Sequence, residues 1–194
     1  MAKDEVNINK VVAIGGSAGS LEVILNLIQR LPYVSTALLI VIIHRKSDND
    51  SILEDLFAHK TLIPVKEVED KDPIIPGTIY IAPPDYHLLI ENERTFSLDS
   101  SEKVHYSRPS IDVTFESVAD TFTTRVMGVL LSGANADGAA GLARIKQMGG
   151  CTLVQTPETA EIDFMPRQAI NLNIVDTIAA PAQISEAIAA FISR

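Results

Sequence analysis

Val11-Val12-Ala13-Ile14-Gly15-Gly16-Ser17-Ala18-Gly19-Ser20 runs from a β-branched apolar stretch into glycines and a serine, and Leu21 to Leu31 follows with amphipathic spacing. The pattern predicts a strand, a tight turn and a helix, with Ser17 exposed at the bend. Glycines there admit conformations that a Cβ forbids and let a ligand approach the main chain. Three readings stay open on this stretch alone. Ser17 caps the helix by accepting an orphan N–H. Alternatively the loop cradles an anion at the helix N-terminus, although its glycines do not follow G-x-G-x-x-G and no Gly-Lys-Ser/Thr is present. In the third, Ser17 is a nucleophile, which requires a base, an orienting carboxylate and oxyanion donors elsewhere in the chain.

Working outward, Ala37-Leu-Leu-Ile-Val-Ile-Ile43 is apolar on both faces, as a central strand of a parallel sheet should be, and it ends at His44. Ser47 to Lys60 has helical spacing, with Ile52, Leu53, Leu56 and Phe57 as the expected buried stripe. Pro64 to Val68 and Thr78 to Ala82 read as strands, the second set off by Pro76-Gly77 and Pro83-Pro84. His87 to Glu91 and Thr95 to Leu98, joined by Asn92-Glu93-Arg94, read as a hairpin. Pro109 to Thr123 predicts a helix with Ile111, Phe115, Val118, Ala119 and Phe122 on one side. Val126 to Leu131 is a buried strand that enters Ser132-Gly-Ala-Asn-Ala-Asp-Gly138, and a helix from about Ala139 to Met148 stops at Gly149-Gly150. Then come a strand at Cys151 to Thr156, a short helix at Pro166 to Asn171, a strand at Ile174 to Thr177 and a closing helix at Pro181 to Ser193. Alternation of strand and helix predicts an α/β fold, doubly wound around a mostly parallel sheet with helices on both faces and an antiparallel hairpin appendage. With no repeat or linker-like tract in 194 residues, one domain spanning 1–194 is expected.

Composition narrows the function. A net charge of −9 removes the electrostatic footprint of a nucleic-acid binder and disfavours docking on anionic lipid. Met1-Ala-Lys-Asp-Glu-Val-Asn7 lacks the apolar core of a secretory signal, and the apolar run Ala37 to Ile43 is far too short for membrane insertion. The single cysteine, Cys151, excludes an internal disulfide and a cysteine zinc cluster, so a reducing, cytoplasmic setting is expected, with Cys151 as a small buried hydrophobe. No histidine pairing suggests a metal, and a metal-free, cofactor-free site is expected.

In an open parallel sheet, ligands bind outside the carboxyl ends of the strands, and right-handed crossovers bring the loops after parallel strands to one edge. Three such loops carry Ser17, His44 and Asp137. Separately each has an ordinary explanation: a helix cap, a solvated strand end, a turn residue before Gly138. Together they supply a nucleophile, a proton acceptor and a carboxylate that fixes the imidazole tautomer. The first backbone N–H groups of the following helix are candidate oxyanion donors. Asp137→Asn is expected to be milder in structure yet severe in rate, since an amide favours the wrong imidazole tautomer.

Several ordered motifs resemble the catalytic domain of the chemotaxis protein-glutamate methylesterases: Ile14-Gly-Gly-Ser-Ala-Gly19, the strand ending in His44, Tyr80-Ile-Ala-Pro-Pro84, Arg108-Pro-Ser-Ile-Asp112, Ser132-Gly-Ala-Asn-Ala-Asp-Gly-Ala-Ala-Gly141 and Met165-Pro-Arg167. The resemblance covers about residues 10 to 193. It implies a doubly wound α/β esterase that hydrolyses γ-glutamyl methyl esters on the cytoplasmic helices of methylated chemoreceptors to glutamate and methanol, with glutamine deamidation as a second activity in some members. By that similarity the nucleophile, base and acid fall on Ser17, His44 and Asp137. The chain departs from the family's common pattern at Ala18 and Ser20, where threonine and glycine are usual, at Ala134 and Asn135, where methionine and glycine are frequent, and at Phe164, where glycine often stands. Arg108 and Arg167 are candidate contacts to the acidic receptor segment, because a guanidinium suits a carboxylate. Two other readings remain: a non-catalytic receptor-binding or scaffold domain of the same fold, and a nucleotide binder using Gly15 to Gly19. Family members usually carry an N-terminal receiver domain, and Met1 to Lys10 cannot form one, so any regulation is expected from a separate partner protein or from receptor access.

Overall fold

The computed structural model describes residues 7–45 and 52–194. Its centre is a parallel pair, β1 (Lys10–Gly16) and β2 (Ala37–Ile43), paired in register from Lys10↔Ala37 to Gly16↔Ile43. Every residue of β2 is buried, as its uninterrupted apolar run requires. Around the pair stand β3 (Val65–Glu67), β4 (Thr78–Ile81), β7 (Val126–Leu130), β8 (Cys151–Gln155) and β9 (Thr177–Ala179), in the order β3-β4-β2-β1-β7-β8-β9, all parallel. The chain leaves β1 toward β2 on one side and returns as β7 on the other. The topological switch therefore lies beside β1, where an open α/β sheet has its crevice.

Alternate residues of the central strands feed two cores. Val11, Ala13, Leu38 and Ile40 pack against α3 (Ile111–Phe122), α4 (Ala139–Gln147) and α5 (Phe164–Asn171). Val12, Ile14, Leu39 and Val41 face α1 (Leu21–Ile28), α2 (Ile52–Ala58) and α6 (Pro181–Ile192). This period-two division is what a doubly wound sheet demands. Ile24, Leu27 and Ile28 form the buried stripe of α1, and each such side chain contributes roughly 1.5–3 kcal/mol by leaving water. In α3 the expected face of Ile111, Phe115, Val118, Ala119 and Phe122 is wholly buried. Gly149, at φ 84°, ends α4 in the left-handed conformation that glycine accepts best.

The hairpin of β5 (His87–Glu91) and β6 (Thr95–Asp99) forms a separate antiparallel sheet, as expected. It lies on α3, which satisfies it with side chains: Ser117 Oγ accepts from Ile90 N–H at 2.8 Å, and Thr114 Oγ1 donates to the Leu88 carbonyl at 2.9 Å.

Four local expectations need correction. Residues 47–51 of the expected second helix lie outside the described residues. In the rest only Phe57 is buried, and Ile52 is 71% exposed. This short helix turns Glu54 toward the edge strand β3, where its carboxylate accepts Glu67 N–H at 2.8 Å, and that orientation leaves Ile52 in water. The last strand begins at Thr177 rather than Ile174, because Thr152 Oγ1 donates to the Ile174 carbonyl and Asp176 accepts Thr152 N–H, so side chains replace the ladder there. Cys151 is exposed at the first position of β8. The cap of α1 is Ser20 rather than Ser17, and Ser20 Oγ donates to the Ser17 carbonyl at 2.7 Å.

Candidate active site

Backbone register brings the three expected residues to one edge. His44 N–H donates to the Gly16 carbonyl at 3.2 Å, and Ser17 N–H donates to the Ser132 carbonyl at 2.9 Å, so Ser17 stands on the strand end between His44 and the loop after β7. Ser132 fixes the serine turn from behind: its hydroxyl donates to the Ala18 carbonyl at 2.7 Å and accepts Ile162 N–H at 2.9 Å. Gly133 leaves room beside Ser17, since a Cβ there would lie 3.0 Å from Ser17 Cβ and 2.5 Å from Met165 Cε.

His44 and Asp137 are joined directly, Nε2 to Oδ2 at 2.6 Å, with side-chain exposures of 10% and 0%. An aspartate on Nε2 holds the ring proton there and leaves Nδ1 as the free lone pair, the nitrogen able to accept a proton. Ser17 Oγ makes no hydrogen bond to His44 among the described residues, a looseness common in sites without substrate.

Asp137 is held by an unexpected element. The cap position of α4 is Gly138, at φ 93°, and the Asp137 carboxylate caps α3 instead. Ile111 N–H donates to Oδ2 at 2.7 Å, Asp112 N–H to Oδ1 at 2.9 Å, and Ser110 Oγ to Oδ1 at 2.8 Å. The positive end of α3 thus faces the carboxylate. Burial alone would push the Asp137 carboxyl up, but His44 and the first-turn amides of α3 prevail and hold it below the ordinary carboxylate range. A fixed anion at this place orients His44 and stabilises an imidazolium.

Sequence reasoning missed the residues behind Asp137. Ser110 N–H donates to Nδ1 of the fully buried His87 at 3.1 Å, so the His87 proton sits on Nε2 and donates to the Glu102 carbonyl at 2.9 Å. Asn135 Oδ1 accepts Asp137 N–H at 3.2 Å while its Nδ2 donates to the His105 carbonyl at 3.2 Å. Asp112, also buried, accepts Gly141 N–H at 2.7 Å and has His105 Nε2 at 3.4 Å. Burial, reinforced by the Asp137 charge, raises its carboxyl to about 6. Ser110 was visible as a helix-cap residue before an apolar run; its bond to a residue 27 positions away was not.

The two arginines differ. Arg108 lines a cleft of about 320 Å³ together with His44, and its Nη1 donates to the Ser100 and Ser101 carbonyls at 2.6 and 2.5 Å. Arg167, on α5, is half exposed; its Nε donates to Asp163 at 2.6 Å and its Nη2 lies 3.7 Å from Glu158. Only Arg108 shares a cleft with a member of the expected triad.

Comparisons with known proteins agree with this geometry. A family model described as CheB methylesterase matches residues 12–188. A Leptospira interrogans protein, provisionally named a protein-glutamate methylesterase/protein-glutamine glutaminase, is 40% identical over 177 residues, 91% of this chain and 92% of its own length. The Escherichia coli K12 protein-glutamate methylesterase/protein-glutamine glutaminase is 36% identical over 187 residues, 95% of this chain, and the chain spans 53% of that relative's length. The crystal structure of the Thermotoga maritima CheB methylesterase catalytic domain superposes with a TM-score of 0.88 at 30% identity, over 95% of this chain and 98% of that one. Ser17 is half-buried, not exposed as the sequence predicts. Strand order, the histidine–aspartate pair beside this serine turn and these matches lead to one assignment: the chain belongs to the CheB methylesterase family.

Proposed function

We propose that this chain is a cytoplasmic serine hydrolase that removes methyl groups from γ-glutamyl methyl esters on chemoreceptor helices, with Ser17 as nucleophile, His44 as base and Asp137 as the orienting anion. The 2.6 Å His44–Asp137 bond beside the Ser17 turn carries this reading. Ser17 Oγ attacks the ester carbonyl while His44 Nδ1 takes its proton, and Asp137 stabilises the resulting imidazolium. The tetrahedral oxyanion needs preorganised N–H donors. Ser17 N–H and Gly133 N–H are already committed, to Ser132 and Ile162, whereas the Ala18 and Gly19 amides have no hydrogen-bond partner among the described residues and fit the role. Collapse expels methanol, protonated by His44, and leaves a glutamyl ester on Ser17. Water activated by His44 then releases glutamate. An amide leaving group follows the same course and releases ammonia, so receptor glutamine is a second substrate on this reading. Arg108 and Arg167 serve as substrate-side cations, Arg108 from within the cleft that His44 also lines.

The test is methanol release from methylated receptor membranes. Wild-type chain is expected to release it, and Ser17→Ala to lose at least roughly a thousandfold in rate. Its urea midpoint should not move, because the Ser17 hydroxyl has no bonded partner among the described residues. A receptor-binding domain without turnover would bind the membranes and release nothing.

A further inference from the structure

The cleft beside His44 has an unusual charge for this molecule. In a chain of net charge −9, its walls carry Arg45, Lys103 and Arg108 against a single carboxylate, Asp85. Arg45 is paired with Glu67. Arg108 is bound through Nη1 to two neutral carbonyls, which orient the guanidinium without cancelling its charge. The lysine ion pairs among the described residues involve Lys66, Lys71 and Lys146, and none involves Lys103. The Nε atoms of both Arg45 and Arg108 are buried with no hydrogen-bond partner.

The rim has its own signature. His105 and Tyr106 both adopt left-handed backbone, at φ 47° and 62°, a conformation that bulky side chains rarely take. The strain is held by mutual hydrogen bonds between Val104 and Ser107 and by Asn135 Nδ2 on the His105 carbonyl. The result is Tyr106 at 97% exposure on the cleft edge. A strained turn that displays an aromatic ring beside uncompensated cations is a feature to be explained by recognition rather than by packing.

We propose that this cleft is a carboxylate subsite, in which Lys103 and Arg108 receive an acidic side chain that neighbours the reacting ester on the substrate helix, and Tyr106 covers its aliphatic stem. A glutamyl methyl ester is uncharged at its reacting end, so cations beside His44 gain nothing from the ester itself. They gain from a neighbour. On a helix, side chains three or four positions apart lie on one face about 5–6 Å apart, so an aspartate or glutamate one turn from the ester reaches the cleft while the ester meets Ser17. The inference rests on the esterase reading for where the ester lies, and on the cleft alone for the binding of the carboxylate.

The test uses the full chain carrying Ser17→Ala and two fluorescent helical peptides. Both contain one glutamyl methyl ester, flanked one turn away on each side by glutamate in the first and by glutamine in the second. At low salt the acid-flanked peptide should bind about tenfold more tightly by anisotropy, and the preference should shrink as salt is raised. Adding Lys103→Gln should reduce the preference to about twofold and Lys103→Glu should reverse it, as charge complementarity requires. Lys60→Gln, beyond the far end of α2, should leave it unchanged. Equal affinities for the two peptides, or a preference indifferent to Lys103, would overturn the subsite. Failure of the esterase reading shows separately: wild-type chain would release no methanol from either peptide while the binding preference persists.

Discussion

Ser110 and Asp137 are joined by a 2.8 Å hydrogen bond from the serine hydroxyl to Oδ1, which ties the head of α3 to the loop after β7. The same hydroxyl accepts Val113 N–H at 3.4 Å as the cap of α3. Ser110→Ala therefore removes a donor to a buried anion and a helix cap together. We expect a loss of about 2 kcal/mol in urea unfolding, together with a fall in kcat/KM as the carboxylate loses its fixed position. Ser110→Thr, which keeps the hydroxyl, should recover most of both.

Asp137→Asn is costlier than its near-identical shape suggests. Both oxygens face donors: Ser110 Oγ and Asp112 N–H on one, Ile111 N–H and His44 Nε2 on the other. An amide must turn its NH2 toward a backbone N–H on either orientation. The geometry therefore predicts a destabilisation of about 2–4 kcal/mol. Methanol release should fall by roughly 10³–10⁴-fold, because the amide also favours the wrong imidazole tautomer. Urea unfolding and rate assays on one preparation check both.

Asp112 sets a pH dependence of stability with a definite sign. Its folded pKa, raised to about 6 first by burial, lies above the ordinary value of 3.8, so the folded state holds this proton more tightly. Its contribution is present in full below about pH 4 and is lost as pH rises through about 6, a cost of about 1–3 kcal/mol at neutral pH. Asp137 has the opposite sign: its lowered pKa contributes stability above the ordinary carboxylate range that is lost on acidification through the folded value. Asp112→Asn keeps an oxygen for Gly141 N–H and removes the ionisation. It is expected to be more stable than wild type at pH 7.5 and no more stable at pH 4.5. Equal offsets at the two pH values would contradict the assignment.

Gly133→Ala separates activity from stability. The new methyl group meets the flexible end of Met165, which can move, and Ser17 Cβ at 3.0 Å, which belongs to the proposed nucleophile. Thermal stability should change by no more than about 1 kcal/mol, whereas kcat should fall at least tenfold, since displacement of a nucleophile by fractions of an ångström is costly. A variant with wild-type kcat would show that the wall at Gly133 does not position Ser17.

Much of this architecture was legible because the central elements obey strong local rules. The all-apolar run from Ala37 to Ile43 permits little besides a buried parallel strand, and the face of α3 from Ile111 to Phe122 keeps helical spacing throughout. Strand ends also forecast which loops would meet, so Ser17, His44 and Asp137 could be grouped from sequence and the register then brought them to adjacent positions. What stayed hidden depends on pairings far apart in the chain. Asp137 looked like a turn residue for the helix that follows it, yet it caps the helix that precedes it. His87 looked like the head of a hairpin, and its buried ring supports Ser110. Edges misled as well: α2 and β9 are short, and single polar side chains, Glu54 and Thr152, decided their orientation and start.

Because the Asp137 carboxylate is the acceptor for the amide protons of Ile111 and Asp112, those two protons act as timekeepers for the His44–Asp137 pair. Neither can exchange with deuterium unless the carboxylate first lets go, and when it lets go His44 loses its anchor in the same event. The exchange rate of two ordinary backbone amides therefore counts how often this pair comes apart, in the absence of any ligand and without a probe attached to the site.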